Sequence, residues 1–174
     1  MKYDTKRRPN NDLENLVDYQ LIRIRERLEK GDNAGINYDM TACLLSLCLW
    51  AESLINLGGF SIFREKFKEK DSYHKKVRKV LPNFDLKDFD ALREILTELQ
   101  TARNSLAHPK PSNISVEVHA GTDEFSIFDQ KYRGLLSLDF LEKSNQALED
   151  LYFAMCEHPE VRDFGFIETA VQVD

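Results

Sequence analysis

Apolar residues along this chain keep a helical spacing for most of its length and break from it once. From Leu13 to Leu106 they recur mostly every three or four positions, the interval that gathers them on one face of a helix. Leu13, Leu16, Val17, Leu21, Ile24 and Leu28 predict a first helix, opened by the capping pair Asn11 and Glu14 and closed at Lys30-Gly31. A second helix is expected from Asn37 or Asp39. Between Met40 and Leu57 it is apolar nearly all the way round, and Gly58-Gly59 reads as its end. A helix of that kind belongs at the centre of a bundle. Residues 60 to 81 read as two short helical pieces, anchored by Phe60, Phe63 and Phe67 and then by Tyr73, Val77 and Leu81, before Leu81-Pro82-Asn83 breaks the chain.

Asp85 or Asp88 then caps a long helix whose stripe is Phe89, Leu92, Ile95, Leu96, Leu99, Ala102 and Leu106. After Pro109-Lys110-Pro111 the period falls to two: Ile114, Val116 and Val118 alternate with polar residues, Ala-Gly-Thr-Asp intervenes, and Phe125 and Ile127 alternate again. This predicts a small β-hairpin over about 113–128. Asp139 with Glu142 repeats the capping pattern, and Leu141, Leu148, Leu151 and Met155 carry a final helix to about Cys156. The expected architecture is all-α, a bundle of four to five main helices with a hairpin appendage. It comprises a flexible arm over 1–10, one domain over 11–157, and a tail over 158–174 in which 165–173 is open to strand pairing or none.

Two charged residues interrupt the apolar pattern. Arg103 projects beside Leu92, Leu96 and Leu99, where an aliphatic side chain is the ordinary choice, and a guanidinium there must find an anion or water. Glu52 sits on the all-apolar helix. It either pairs with Arg103 or emerges at the bundle end beside Asn56, and the sequence leaves both open. His108 follows Arg103 by five residues, about 140° around an ideal helix, and Pro109 biases it out of helical geometry. Arginine and histidine therefore meet only through a distorted helix end or across the two-fold axis of a homodimer.

Arg103-Asn104, three residues, His108 and Pro109 resemble the Arg-x(4 to 6)-His motif of the HEPN superfamily, with a polar residue after the arginine. The resemblance covers roughly residues 12 to 156 in outline. It implies a helical bundle, dimeric in many members, and a metal-independent RNA endonuclease of toxin or phage-defence type that leaves a 2′,3′-cyclic phosphate. It also implies Arg103 as phosphate clamp and His108 as proton-transfer residue. Asn104, four residues before His108, is placed to orient the imidazole if the helix persists. A nucleotidyltransferase-type antitoxin or another defence-system protein is an implied partner. Lys110 stands where some toxin members carry the tyrosine that such a partner modifies, so control by that route is not implied.

Composition narrows the remaining choices. With net charge −6, 42% hydrophobic and 31% charged residues, the 174-residue chain reads as one ordinary acidic domain. Met1 to Asn10 is polar and basic, no run of about 18 apolar residues is evident, and a cytoplasmic protein off the membrane is expected. Three cysteines, two of them (Cys43, Cys48) in the apolar helix, read as reduced core thiols. Between Arg64 and Lys79 stand eight Lys/Arg and three acids, and Lys75, Lys76, Arg78, Lys79 and Lys110 are the candidate RNA contacts. A merely solvated lysine face explains that run slightly better, and Arg23, Arg25 and Arg27 suit the C-terminal end of the first helix dipole better than an RNA surface. His74, His108, His119 and His158 lack metal-ligand spacing, and no phosphate-loop or dinucleotide fingerprint occurs, so neither metal nor cofactor is expected.

Three readings follow. The first is a HEPN-type ribonuclease with its active site at a homodimer interface. The second is a non-catalytic module of the same type binding RNA, a nucleotide or a protein. The third is a scaffold docking through the hairpin edge, with heteromeric association that does not depend on Arg103. Against any role in catalysis stands a purely structural one, in which Arg103 bridges two helices and His108 caps one.

Overall fold

The computed structural model describes residues 2–6, 9–107, 133–164 and 169–173, with side chains over 11–107 and 133–162. His108, Lys110 and the hairpin expected over 113–128 lie outside the described residues. Among the described residues the fold is a helical bundle with a two-stranded ribbon. In chain order the elements are β1 (Lys2–Lys6), α1 (Pro9–Glu29), α2 (Ile36–Phe63), a 3-10 turn (Arg64–Lys66) and α3 (Tyr73–Val80). Another 3-10 turn (Leu81–Asn83), α4 (Phe89–Ala107), a turn over Arg133–Leu135, α5 (Leu138–Glu157), α6 (Pro159–Phe164) and β2 (Thr169–Val173) follow among the described residues.

The all-round apolar helix is the central one. α2 packs against α1, α3, α4, α5 and α6, and Leu44, Leu47, Trp50, Leu54 and Ile55 on it are fully buried. They meet Val17 and Ile24 of α1, Leu96 and Leu99 of α4, and Leu141, Leu148 and Leu151 of α5 in one continuous core. Each such side chain contributes roughly 1.5–3 kcal/mol by leaving water. Ile36–Lys66 is also long and apolar enough by composition to cross a membrane, contrary to the expectation that no such run exists. Its burial among five other helices accounts for that composition.

Helix ends follow local chemistry. α1 stops in a Schellman arrangement: Gly31 takes φ +69, its N–H bonds Leu28 O at 3.0 Å, and Asp32 N bonds Arg27 O at 2.9 Å. Arg27 then ties the α1–α2 connection by binding Asp32 at 3.0 Å, together with Asp39 and the Ala34 carbonyl. Asp88, not Asp85, caps α4 through Ala91 N at 3.0 Å, and Ser137, not Asp139, caps α5 through Phe140 N at 3.2 Å.

Gly58 and Gly59 do not end α2, which continues to Phe63. They are there for space. A Cβ on Gly58 would lie 2.9 Å from Val80 Cγ1, and one on Gly59 would lie 2.5 Å from Phe67 Cδ2 and closer still to two other carbons of that ring. The segment leading to α3 therefore crosses close over α2, with Phe67 stacked edge-on against Phe60 at 4.9 Å. Arg64 makes the reversal at φ 49.

Of the two alternatives left open for 165–173, strand pairing is the one realised, over Thr169–Val173. β1 pairs antiparallel with β2, Lys2 opposite Val173 and Lys6 opposite Thr169, which gives two short strands the ladder partners that neither has alone. α6 packs on α2 and α5.

Candidate functional site

Three helices converge on one polar recess. On α2, Cys48, Glu52 and Asn56 are spaced four apart and so share a face. α3 contributes Tyr73 and Lys76, because the spacing Tyr73, Lys76/Val77, Val80 turns that face toward α2. α4 contributes Gln100, Arg103 and Asn104 in its last turns. With Glu69, Asp71 and Ser72 these side chains, Asn56 excepted, line a cavity of about 280 Å³.

Glu52 joins the site together. Its Oε2 lies 3.6 Å from Arg103 Nη2 and its Oε1 lies 3.9 Å from Lys76 Nζ. The possibility that Glu52 pairs with Arg103 is thus the one realised. Both contacts are longer than the 2.7–2.9 Å of a tight charge-assisted hydrogen bond. One carboxylate stands between two cations without closing firmly on either. Lys76 finds a firmer partner in Asn56 Oδ1 at 2.8 Å. The two cations differ in depth: Lys76 is 5% exposed and Arg103 38%, so Arg103 holds the mouth and Lys76 the interior. Arg103 Nη1 also reaches Asn104 Oδ1 at 3.4 Å, which turns Asn104 toward the guanidinium.

Tyr73 closes the inner wall. Its hydroxyl is shut off from solvent and has no hydrogen-bond partner. Burial, and then the charge of Glu52, hold this phenol far above its ordinary ionisation range, so it stays a neutral donor. The Cys48 thiol donates to Leu99 O at 3.0 Å. Burial pushes its pKa up to about 12, opposed by a backbone hydrogen bond at Arg103 and by the charge of that residue. It is an inert wall rather than a nucleophile.

The basic strip read from the sequence is divided by the fold. Lys76 belongs to the recess. Lys75 pairs with Asp71 at 2.9 Å, and Lys79 donates to Lys66 O at 3.0 Å while lying 4.3 Å over the Phe63 ring. Arg78 is exposed. On α1, Arg23 meets Glu26 at 3.8 Å, Arg25 bridges to Glu142 of α5, and Arg27 ties the loop. Each of the three thus has an acidic partner within the chain. Two larger hollows lie elsewhere. One, of about 550 Å³, is lined by Arg27 and its acidic partners; the other, of about 580 Å³, is an apolar groove between α4 and α5. Neither contains a residue of the Arg103 cluster.

Sequence reasoning singled out Arg103, Asn104, Glu52 and Lys76, which the fold brings together. It passed over Tyr73 as a polar group and did not foresee the burial of Lys76. The periodicity Tyr73, Lys76, Val80 carried that signal, obscured by the lysines and arginine around it. Comparison with protein families, curated proteins and solved structures gives no match for this chain.

Proposed function

We propose that the protein is a metal-independent endoribonuclease of HEPN type, in a toxin or phage-defence role, with Arg103 as phosphate clamp and His108 as proton-transfer residue. The observation that carries this reading is the placement of Arg103 at the mouth of a recess where two cations share a single, loosely held carboxylate. An arginine needed only to bridge two helices would be expected to close on that carboxylate as a two-bonded fork. RNA supplies its own nucleophile. The 2′-hydroxyl attacks phosphorus, its proton passes to a base, the bond to the 5′-oxygen breaks, and that oxygen takes a proton from an acid. An imidazole titrating near neutrality serves either proton step, and the guanidinium neutralises charge on the non-bridging oxygens.

A homodimer that joins two copies of the motif is part of the proposal. In its support, Tyr38 (82% exposed), Leu45 and Leu49 lie bare on the α2 face that runs on toward Glu52. A second reading, a non-catalytic module binding RNA, a nucleotide or a protein, is favoured by the Arg103–Glu52 contact itself, since it gives the arginine a partner within the chain. Incubating purified protein with single-stranded RNA in EDTA, alongside His108→Ala, separates the two. Cleavage lost in the variant supports the ribonuclease, and equal inertness of both proteins supports the module.

A further inference from the structure

We propose that Glu52 is a two-position counterion: outward on Arg103 when the recess is empty, and inward on Lys76 and Tyr73 when a phosphate group takes Arg103. This rests on the reading of Arg103 as a phosphate clamp, but concerns binding alone.

The recess has the parts such an exchange needs. Glu52 is 34% exposed and sits between an outer cation and an inner one, at 3.6 and 3.9 Å, neither of them a committed bond. The same lining also holds a donor with nothing to donate to, the solvent-shielded Tyr73 hydroxyl. A buried hydroxyl without an acceptor costs about 1–3 kcal/mol. A carboxylate moving inward removes that cost, gains a shorter contact with Lys76, and releases the guanidinium. With Glu52 inward, the ion pair is with Lys76, and Arg103 is left with one uncompensated positive charge at the mouth.

That charge selects the ligand. A fork-shaped cation facing a cavity of about 280 Å³ fits one tetrahedral oxyanion, a phosphate monoester or diester, rather than a whole nucleotide. Of the other acids in the lining, Asp71 is engaged by Lys75, and Glu69 is exposed, where water screens it. Inorganic phosphate and an RNA strand present the same group, so both probes are needed.

The experiment titrates the folded full-length protein by calorimetry with inorganic phosphate and, separately, with a 2′-O-methyl oligoribonucleotide, which lacks the nucleophile and is not cleaved. Glu52→Gln removes the competing charge and is expected to tighten binding several-fold. Tyr73→Phe removes the inward seat and is expected to weaken it several-fold. In the Glu52→Gln background the Tyr73→Phe effect should vanish, a non-additivity that a structural role for Tyr73 does not produce. Tighter binding of the oligonucleotide than of phosphate identifies an RNA strand as the source, and equal binding identifies free phosphate; either supports the exchange. The proposal is overturned if neither probe binds, if folded Glu52→Gln binds no tighter than wild type, or if Tyr73→Phe weakens binding equally in both backgrounds. Because no probe is cleaved, failure of the ribonuclease reading leaves these outcomes distinct.

Discussion

Replacing Gly59 by alanine tests how the site is assembled, because the crossing at this glycine delivers Tyr73 and Lys76 to Glu52. An added Cβ would stand 2.5 Å from Phe67 Cδ2 and nearer to its neighbours in the ring, against the roughly 3.5–4.0 Å at which carbons rest in contact. The ring has little room to retreat: Phe67 is 6% exposed and is stacked on Phe60 at 4.9 Å. Overpacking of this kind costs about 1–3 kcal/mol, and an overlap this deep belongs at the upper end. Alanine regains about 1 kcal/mol over glycine inside a helix. The net expectation is a loss of about 2 kcal/mol, or a Tm lower by about 4–8 °C for a chain of this size. Thermal unfolding followed by circular dichroism reads it, with Gly134→Ala as the control, since a Cβ there meets nothing within 4 Å. Gly59→Ala matching or exceeding wild type in Tm would refute the close crossing of Phe67 over α2. The same variant should bind phosphate more weakly, because α3 is displaced with the ring.

Two further outcomes follow from burial and charge elsewhere. Burial, then the charge of Asp18, hold the Glu149 carboxyl above its ordinary range, and burial, then Asp18 and Glu149, do the same to Glu14. A carboxyl whose folded pKa lies above its unfolded one favours folding while protonated, and that contribution is lost as pH rises through the folded value. Glu149→Gln should therefore stabilise the protein at pH 7, on the order of 0.5 kcal/mol, with the gain shrinking toward pH 4. Urea midpoints at the two pH values measure it, and a gain that grows on acidification contradicts it. Among the thiols, Cys43 and Cys48 are buried and pushed to about 12, whereas Cys156 is only half-buried. Iodoacetamide at pH 8 should label Cys156 well before the other two, as peptide mass spectrometry would show; early labelling of Cys48 would mean that the recess wall opens.

The helices were legible because a bundle writes its core as a three-to-four spacing. The central place of α2 followed directly from its lack of a polar face. What the sequence hid was tertiary. Gly58-Gly59 looks like punctuation because helix-ending glycines and close-packing glycines are the same residue, and only the arrival of Phe67 and Val80 tells them apart. Lys76 looked like one more solvated lysine, since local charge density masks a single inward position. Glu52 and Arg103 stood out because each breaks an apolar stripe. Their pairing needed a distance, which periodicity does not supply.

The claim on which the functional reading turns is that Arg103 grips a scissile phosphate. Its most direct test is to digest a defined single-stranded RNA in EDTA with wild type and Arg103→Ala, each confirmed folded, and to identify the new 3′ ends. Cleavage by wild type leaving 2′,3′-cyclic phosphate, reduced at least a hundredfold in the variant, is the expected result. An Arg103→Ala protein that cleaves as fast as wild type, or a wild type that leaves the RNA intact, would contradict it.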